Sequence, residues 1–284
     1  MAVLDRIADR QAEFSQTVNV LKSRLDRARW LCFALSIGGA TLAAVAGGLP
    51  NDDYRAYLAW PAAAMLAIAT FVTGRLLSKD AVTLQVKARM ASEALKREAF
   101  LYATAAGAYS DPAKRDALLA AALDTVEKSA EGLGRYQERA TGKGSCPRQS
   151  LDAAGYDAAR LDAQIRYYGN SADKLAKPSR WLHRAEFVLA GLAAVITAVA
   201  VSVGKGKFDI APLTAVLTTL AATVLAHLQA ARYDENIVSF RATASRLANL
   251  KSSATVGTTA AELATAVEEI IATETKGWQA LWLK

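Results

Sequence analysis

Histidine and cysteine are scarce in this chain, two of each among 284 residues. That scarcity removes most metal and nucleophile readings at once. No His/Cys cluster has the spacing of metal ligands, no CxxC pair occurs, and no Ser/His/Asp set can be assembled. No segment alternates polar and apolar residues over a useful strand length, so the chain is expected to be all-α. The tetrapeptide Gly142-Lys143-Gly144-Ser145 lacks the G-x-x-x-x-G-K-[ST] spacing of a phosphate loop and follows no strand. The sequence gives no catalytic, cofactor-binding or metal residue, and a membrane enzyme is disfavoured for want of one.

Formal charge is also missing, but only locally. Asp, Glu, Lys and Arg are absent from Trp30 to Pro50, Ala56 to Gly74, Phe187 to Gly204 and Ile210 to Ala231. Each run is close to the ~17–25 residues a helix needs to cross a bilayer. A core helix of a soluble bundle would carry a polar stripe every 3.6 residues, and these runs carry only small residues and Thr there. The expected architecture is therefore four transmembrane helices, at about 30–50, 56–74, 187–204 and 210–231. Short links, NDDYR near Asn51 and KGKFD from Lys205, would make two antiparallel hairpins. The first run begins too late and is too long for a cleaved signal peptide.

The charges that remain set an orientation. Of the 34 Lys and Arg, only Arg55, Lys205 and Lys207 lie in the short links. Segments that stay on the cytoplasmic side keep Lys and Arg near membrane helices. Both termini and the central segment are thus expected in the cytoplasm, with Lys205 and Lys207 the discordant pair. The net charge of +7 then reads as topology signal and contact with anionic headgroups. Nucleic acid is excluded as a partner, because no basic groove with stacking aromatics accompanies the charge. Cys32 in the first crossing and Cys146 in a reducing compartment are expected to stay unpaired.

The chain also repeats itself. Arg29-Trp30-Leu31 and Arg180-Trp181-Leu182 each introduce a hairpin, and the two Trp are 151 residues apart. Upstream, Asp9-x-Gln11-x-x-Phe14 matches Asp162-x-Gln164-x-x-Tyr167; downstream, Lys96 aligns with Lys251. Each half then starts a second amphipathic helix, one at Asp111-Pro112 and one at the capping-box pattern Thr259-x-x-Glu262. The division expected is a first unit at 1–140, a Gly/Ser/Pro-containing linker at 141–150 and a second unit at 151–284. Apolar stripes run through Leu161, Ile165, Tyr168, Ala172, Leu175 and Leu182, through Leu119, Leu123, Val126, Ala130 and Leu133, and through Leu263, Val267, Ile270, Ile271, Trp278, Leu281 and Trp282. They call for a cytoplasmic helical bundle, or for partners.

Few residues inside or beside the crossings carry chemistry. Glu186 stands at the mouth of the third, where a ring of carboxylates could attract cations; pairing with Arg184 or a neighbouring helix is favoured. Thr214, Thr218, Thr219 and Thr223 form a polar face on the fourth, lining water in an assembled pore or bonding their own backbone. His227 is read as a solvated or helix-packing residue rather than a functional one, and His183 as interfacial. Gly39, Ala43 and Gly47, four apart, offer a face for close helix packing in lipid.

The stretch from Tyr156, with Arg160, Leu161, Gln164, Tyr167 and Tyr168 before a basic segment and a hairpin, resembles the start of SLATT proteins, the SMODS- and SLOG-associating two-transmembrane effectors. ENIVSFRATASRLANL and the final VEEIIATETKGW are similar to that family as well. The likeness covers about Tyr156 to Trp282, and the first half more loosely, as a tandem duplication of the hairpin unit. The resemblance implies an effector of a bacterial conflict or antiphage system that permeabilises the inner membrane. It implies triggering by a nucleotide second messenger or a cytoplasmic sensor protein. A homo-oligomer is expected, since one four-helix unit with an apolar interior leaves no channel. The alternative is a membrane-anchored scaffold whose helices recruit a cytoplasmic partner.

Overall fold

The apolar runs and amphipathic stripes both become helix. The computed structural model describes residues 2–49, 51–140, 144–203, 211–255 and 257–283, and among them there is no strand. The first half supplies α1 (Ala2–Gly48), α2 (Asp52–Leu76), α3 (Lys79–Ala103) and α4 (Arg115–Ser129). The second supplies α5 (Ala153–Tyr156), a π-helical turn (Asp157–Leu161), α6 (Asp162–Val203), α7 (Ala211–Ala231), α8 (Tyr233–Ser253) and α9 (Ala260–Leu283). Each half thus contributes a long helix, a membrane-length helix, a polar helix and a final amphipathic one. Four helices are long and apolar enough to cross a membrane.

The ends show why the helices begin where they do. Asn51 accepts backbone N–H bonds from Asp53 and Tyr54 and so caps α2. The first link is accordingly shorter than the sequence suggested, because Asp52 to Arg55 are already helical. The link Lys205–Asp209, with Lys205 and Lys207, lies outside the described residues, as do Thr141 to Lys143 of the linker. The capping box forms as expected: the Thr259 N–H donates to Glu262 Oε2 at 2.9 Å, and the Glu262 N–H donates to Thr259 Oγ1 at 3.2 Å. Asp111-Pro112 instead opens a turn, with Asp111 Oδ1 accepting from the Ala113 N–H, and α4 starts at Arg115. Arg232, at φ 50°, occupies the left-handed region between α7 and α8.

Contacts divide the chain into two compact units. One comprises Met1–Arg24, Lys79–Ala172 and Asn236–Lys284; the other comprises Leu25–Ser78 and Asp173–Glu235. Each unit draws on both halves of the sequence. The first, the charged bundle, has Leu4, Ile7, Phe14 and Leu21 of α1 buried with Leu95 and Ala99 of α3 and with Leu119 and Leu123 of α4. Full burial of each such Leu, Ile or Phe contributes about 1.5–3 kcal/mol. The segment from Gly144 is no loose tether. A Cβ at Gly144 would stand 3.0 Å from the Ala12 Cβ and from the Ala8 carbonyl, so a larger residue would crowd α1 at this close approach. Arg148 ties the same segment to Asp5 and Asp9, and Cys146 enters the core.

The second unit holds the uncharged runs. At Gly39 α1 packs tightly on α2: a Cβ there would fall 2.8 Å from Leu66 Cγ and 3.2 Å from the Ala62 carbonyl oxygen. One side of α1 steps by seven through Cys32, Gly39 and Ala46, with Cys32 Sγ 3.6 Å from the Ala69 carbonyl. In α6 just before its uncharged run, Ser179 Oγ donates to Asp234 Oδ1 at 2.7 Å, and His183 Nε2 meets Asp234 Oδ2 at 2.8 Å. Those two bonds and the charge of His183 hold the Asp234 carboxyl below its usual range. His183, expected at an interface, is thereby a tie between α6 and α8.

Candidate functional site

The charged bundle contains a buried ionic cluster. Its centre is Arg160, placed by the π-helical turn that leads into α6; such one-turn insertions re-aim a side chain and recur at functional sites. Arg160 Nε donates to Glu268 Oε1 at 2.7 Å and Nη2 donates to Oε2 at 2.9 Å. Both side chains are 1% exposed. Tyr156 donates its hydroxyl to the same Oε1 at 3.1 Å, and the guanidinium carbon lies 4.9 Å from the Phe100 ring centroid. Lys251 of α8 bonds Asp157 and Asp162 at the two ends of the turn, at 2.9 and 2.7 Å. The turn is thus pinned from the side while its Arg points into α9.

A second pair lies along the same helices. Glu274 accepts from the Tyr168 hydroxyl at 3.0 Å and from Arg89 Nη2 at 3.4 Å. The Arg89 guanidinium stacks 4.0 Å over the Trp278 ring. Burial pushes the Glu274 carboxyl above its usual range against the pull of Arg89. Burial also opposes ionisation of Glu93, but Lys96, Arg160 and Arg89 outweigh it and hold that carboxyl low. Burial drives the Tyr168 and Tyr156 hydroxyls up, so both stay protonated donors. Arg89, Lys96 and Arg160 thus balance Glu93, Glu268 and Glu274. Glu268 also lines a pocket of about 340 Å³ with Arg97, Leu101, Tyr109 and Thr265.

The residues singled out near the crossings fall in the other unit and do not form one site. Thr218, Thr219 and Thr223 each donate to the carbonyl four residues back, at 2.8–2.9 Å. At 3.6 residues per turn, Thr214 with Thr218 and Thr219 with Thr223 make two rows about 140° apart, not one face. Thr218 and Thr219 are exposed. Glu186 does not pair with Arg184, because residues two apart on a helix point to opposite sides; it makes no ion pair among the described residues. His227 is buried, its ring centroid 4.5 Å from Phe33 and 4.7 Å from Trp30. It packs helices. Of the small-residue face, Gly39 is buried at the α2 contact, whereas Ala43 is exposed and nothing lies within 4 Å of a Cβ at Gly47.

Residues 156–278 match the family model described as SMODS and SLOG-associating 2TM effector domain 1. That match covers less than half of the chain, and it makes the second half similar to SLATT domains. Residues 12–117 match a second model, described as a protein of unknown function, DUF4231. No match was found among curated proteins or among solved structures. With four membrane-length helices, the chain is a multi-pass membrane protein. The SLATT-type region begins at Tyr156 and ends at Trp278, so both members of both buried pairs, Arg160–Glu268 and Tyr168–Glu274, lie inside it. Arg160, Tyr168 and the final VEEIIATETKGW carried the resemblance, but their pairing was not visible in sequence. The only signal was two Glu on the otherwise apolar stripe of α9.

Proposed function

We propose that the protein is a membrane effector of a bacterial conflict system, resting closed in the inner membrane and permeabilising it when triggered. The observation that carries this is the SLATT match over residues 156–278, on a chain with four helices able to cross a bilayer. Several copies must take part. The buried residues of the membrane unit include Ala62, Ala69, Val72, Ala193, Ala221 and Val224, a packed apolar interior. Thr218 and Thr219 are exposed, so their hydroxyls meet enclosed water only if further copies complete a wall. On the cytoplasmic side, the trigger acts on the charged bundle. It shifts the equilibrium only by binding the open arrangement more tightly than the closed one. Breaking Arg160–Glu268 is the costly part of such a change, because each buried ion would lose its partner.

Expression in a bacterial inner membrane with a voltage-sensitive dye tests this directly, comparing the native chain with Glu186→Gln and Thr218→Val. Depolarisation that the variants alter supports permeation and places its lining. If the potential stays unchanged even with the product of a neighbouring gene co-expressed, permeation is wrong, and an anchored scaffold that recruits a partner takes its place.

A further inference from the structure

Helix α6 presents a cation-rich face, with Asp173 the one carboxylate among the cations. Lys174, Lys177, Arg180 and Arg184 are all exposed, and none of the four makes an ion pair or hydrogen bond among the described residues. At 100° per residue they fall, with Trp181, within an arc of about 120°. Ala176, Ser179, Leu182 and Ala193 turn to the opposite side and are buried. Trp181 is 61% exposed in the middle of the cations.

The same arc continues past Glu186 as apolar surface. Val188, Leu192, Val195 and Val199 follow it at three- and four-residue steps, each 44–60% exposed. One side of one helix therefore passes from cation-rich to hydrocarbon-like, with an indole at the change. At 1.5 Å per residue, Arg184, Arg180 and Lys177 stand about 5, 10 and 15 Å from Phe187, where the uncharged run begins. That places them in and just above a headgroup layer. Their long side chains can lie along the surface while the charged ends reach phosphate, and Trp favours the same depth.

We infer that this face is a binding surface for anionic phospholipid headgroups, held by Lys177, Arg180 and Arg184 with Trp181 seated beside them. Charge complementarity, and continuity with the lipid-facing side of the crossing, argue for lipid over a soluble anion. The surface rests on α6 crossing a bilayer, and does not depend on permeation.

Trp181 supplies the probe. The full chain is reconstituted in bilayers of equal parts phosphatidylglycerol and phosphatidylcholine, with bromine on the acyl chains of one or the other. The Trp181 contribution is the difference between the native chain and Trp181→Phe. Brominated phosphatidylglycerol should quench it more strongly, reflecting a local preference of at least about fivefold, the worth of one cation at an anionic surface. The preference should shrink in 0.5 M salt, persist when 10 mM inorganic phosphate is added, and disappear in Lys177→Gln/Arg180→Gln/Arg184→Gln. Equal quenching by the two lipids overturns the inference, as does a preference that survives the triple substitution or that phosphate abolishes. If neither lipid quenches Trp181, α6 is not in the bilayer, and the inference falls together with the membrane reading.

Discussion

Arg160 and Glu268 face each other through two hydrogen bonds, 2.7 and 2.9 Å long, with both side chains 1% exposed. A buried pair of this kind costs most when half of it is removed, since the remaining charge has neither water nor partner. Glu268→Ala or Arg160→Ala should lower stability by about 3–5 kcal/mol. The double change Arg160→Met/Glu268→Leu should lower it by clearly less than either. Thermal unfolding of the detergent-solubilised chain, followed by circular dichroism, measures all three. Single variants as stable as the native chain would remove the pair from any account of the resting state.

Two further carboxylates of the bundle, Glu274 and Glu93, respond to pH with opposite sign. Glu274 has a raised folded-state pKa, so the folded chain holds that proton more tightly than the unfolded chain does. Its favourable contribution is complete at low pH and is lost as pH rises through the folded value. Glu93, held low, contributes above its unfolded value and loses that contribution as pH falls. Relative to Glu274→Gln, the native chain should therefore gain stability on acidification. Relative to Glu93→Gln it should lose stability. Unfolding midpoints from pH 7.5 to pH 4 should show these opposite trends.

Gly39 and Gly47 offer a matched contrast on one helix. A methyl at Gly39 meets Leu66 and the fixed carbonyl of Ala62. Gly39→Ala should cost about 1–3 kcal/mol by overpacking. Gly47→Ala enters open space and should be neutral, or stabilising by up to about 1 kcal/mol through helix propensity. The same unfolding measurement in detergent separates them. Equal effects would mean that the α1–α2 contact is not tight at Gly39.

Cys146 reports on the charged bundle. Burial pushes its thiol up to about 12, so at pH 7.5 little thiolate forms and access is blocked. In a Cys32→Ser background, maleimide should label Cys146 at least about tenfold more slowly than the fully unfolded chain. Glu268→Ala should speed labelling by loosening the neighbouring clamp. Fast labelling of the native chain would show that the segment from Gly144 does not stay docked.

The sequence foretold the helices better than their partnerships. The uncharged runs lie in helices of membrane length because charge is expensive in hydrocarbon, a rule that acts residue by residue. Leu119, Leu123, Leu263 and Val267 are buried as their periodicity required. The Thr259–Glu262 box closed because both partners sit within one turn. The ionic clusters could not be read this way. Arg160 and Glu268 are 108 positions apart, and a buried pair is specified by the fold that encloses it. The segment at 144–150 looked like a tether because Gly, Ser and Pro mark loops, yet Gly144 is there for closeness rather than freedom. The compact units likewise cut across the repeat, since each long helix is divided between them.

That pairing distance also sets an order of events during synthesis. Both apolar hairpins are complete once residue 231 has been made, while Glu268 is still to come. At about 5–20 residues per second, Arg160 waits several seconds for its counter-ion. The clamp closes late, so synthesis that terminates in α8 would release a chain with its membrane helices made and Arg160 without its partner.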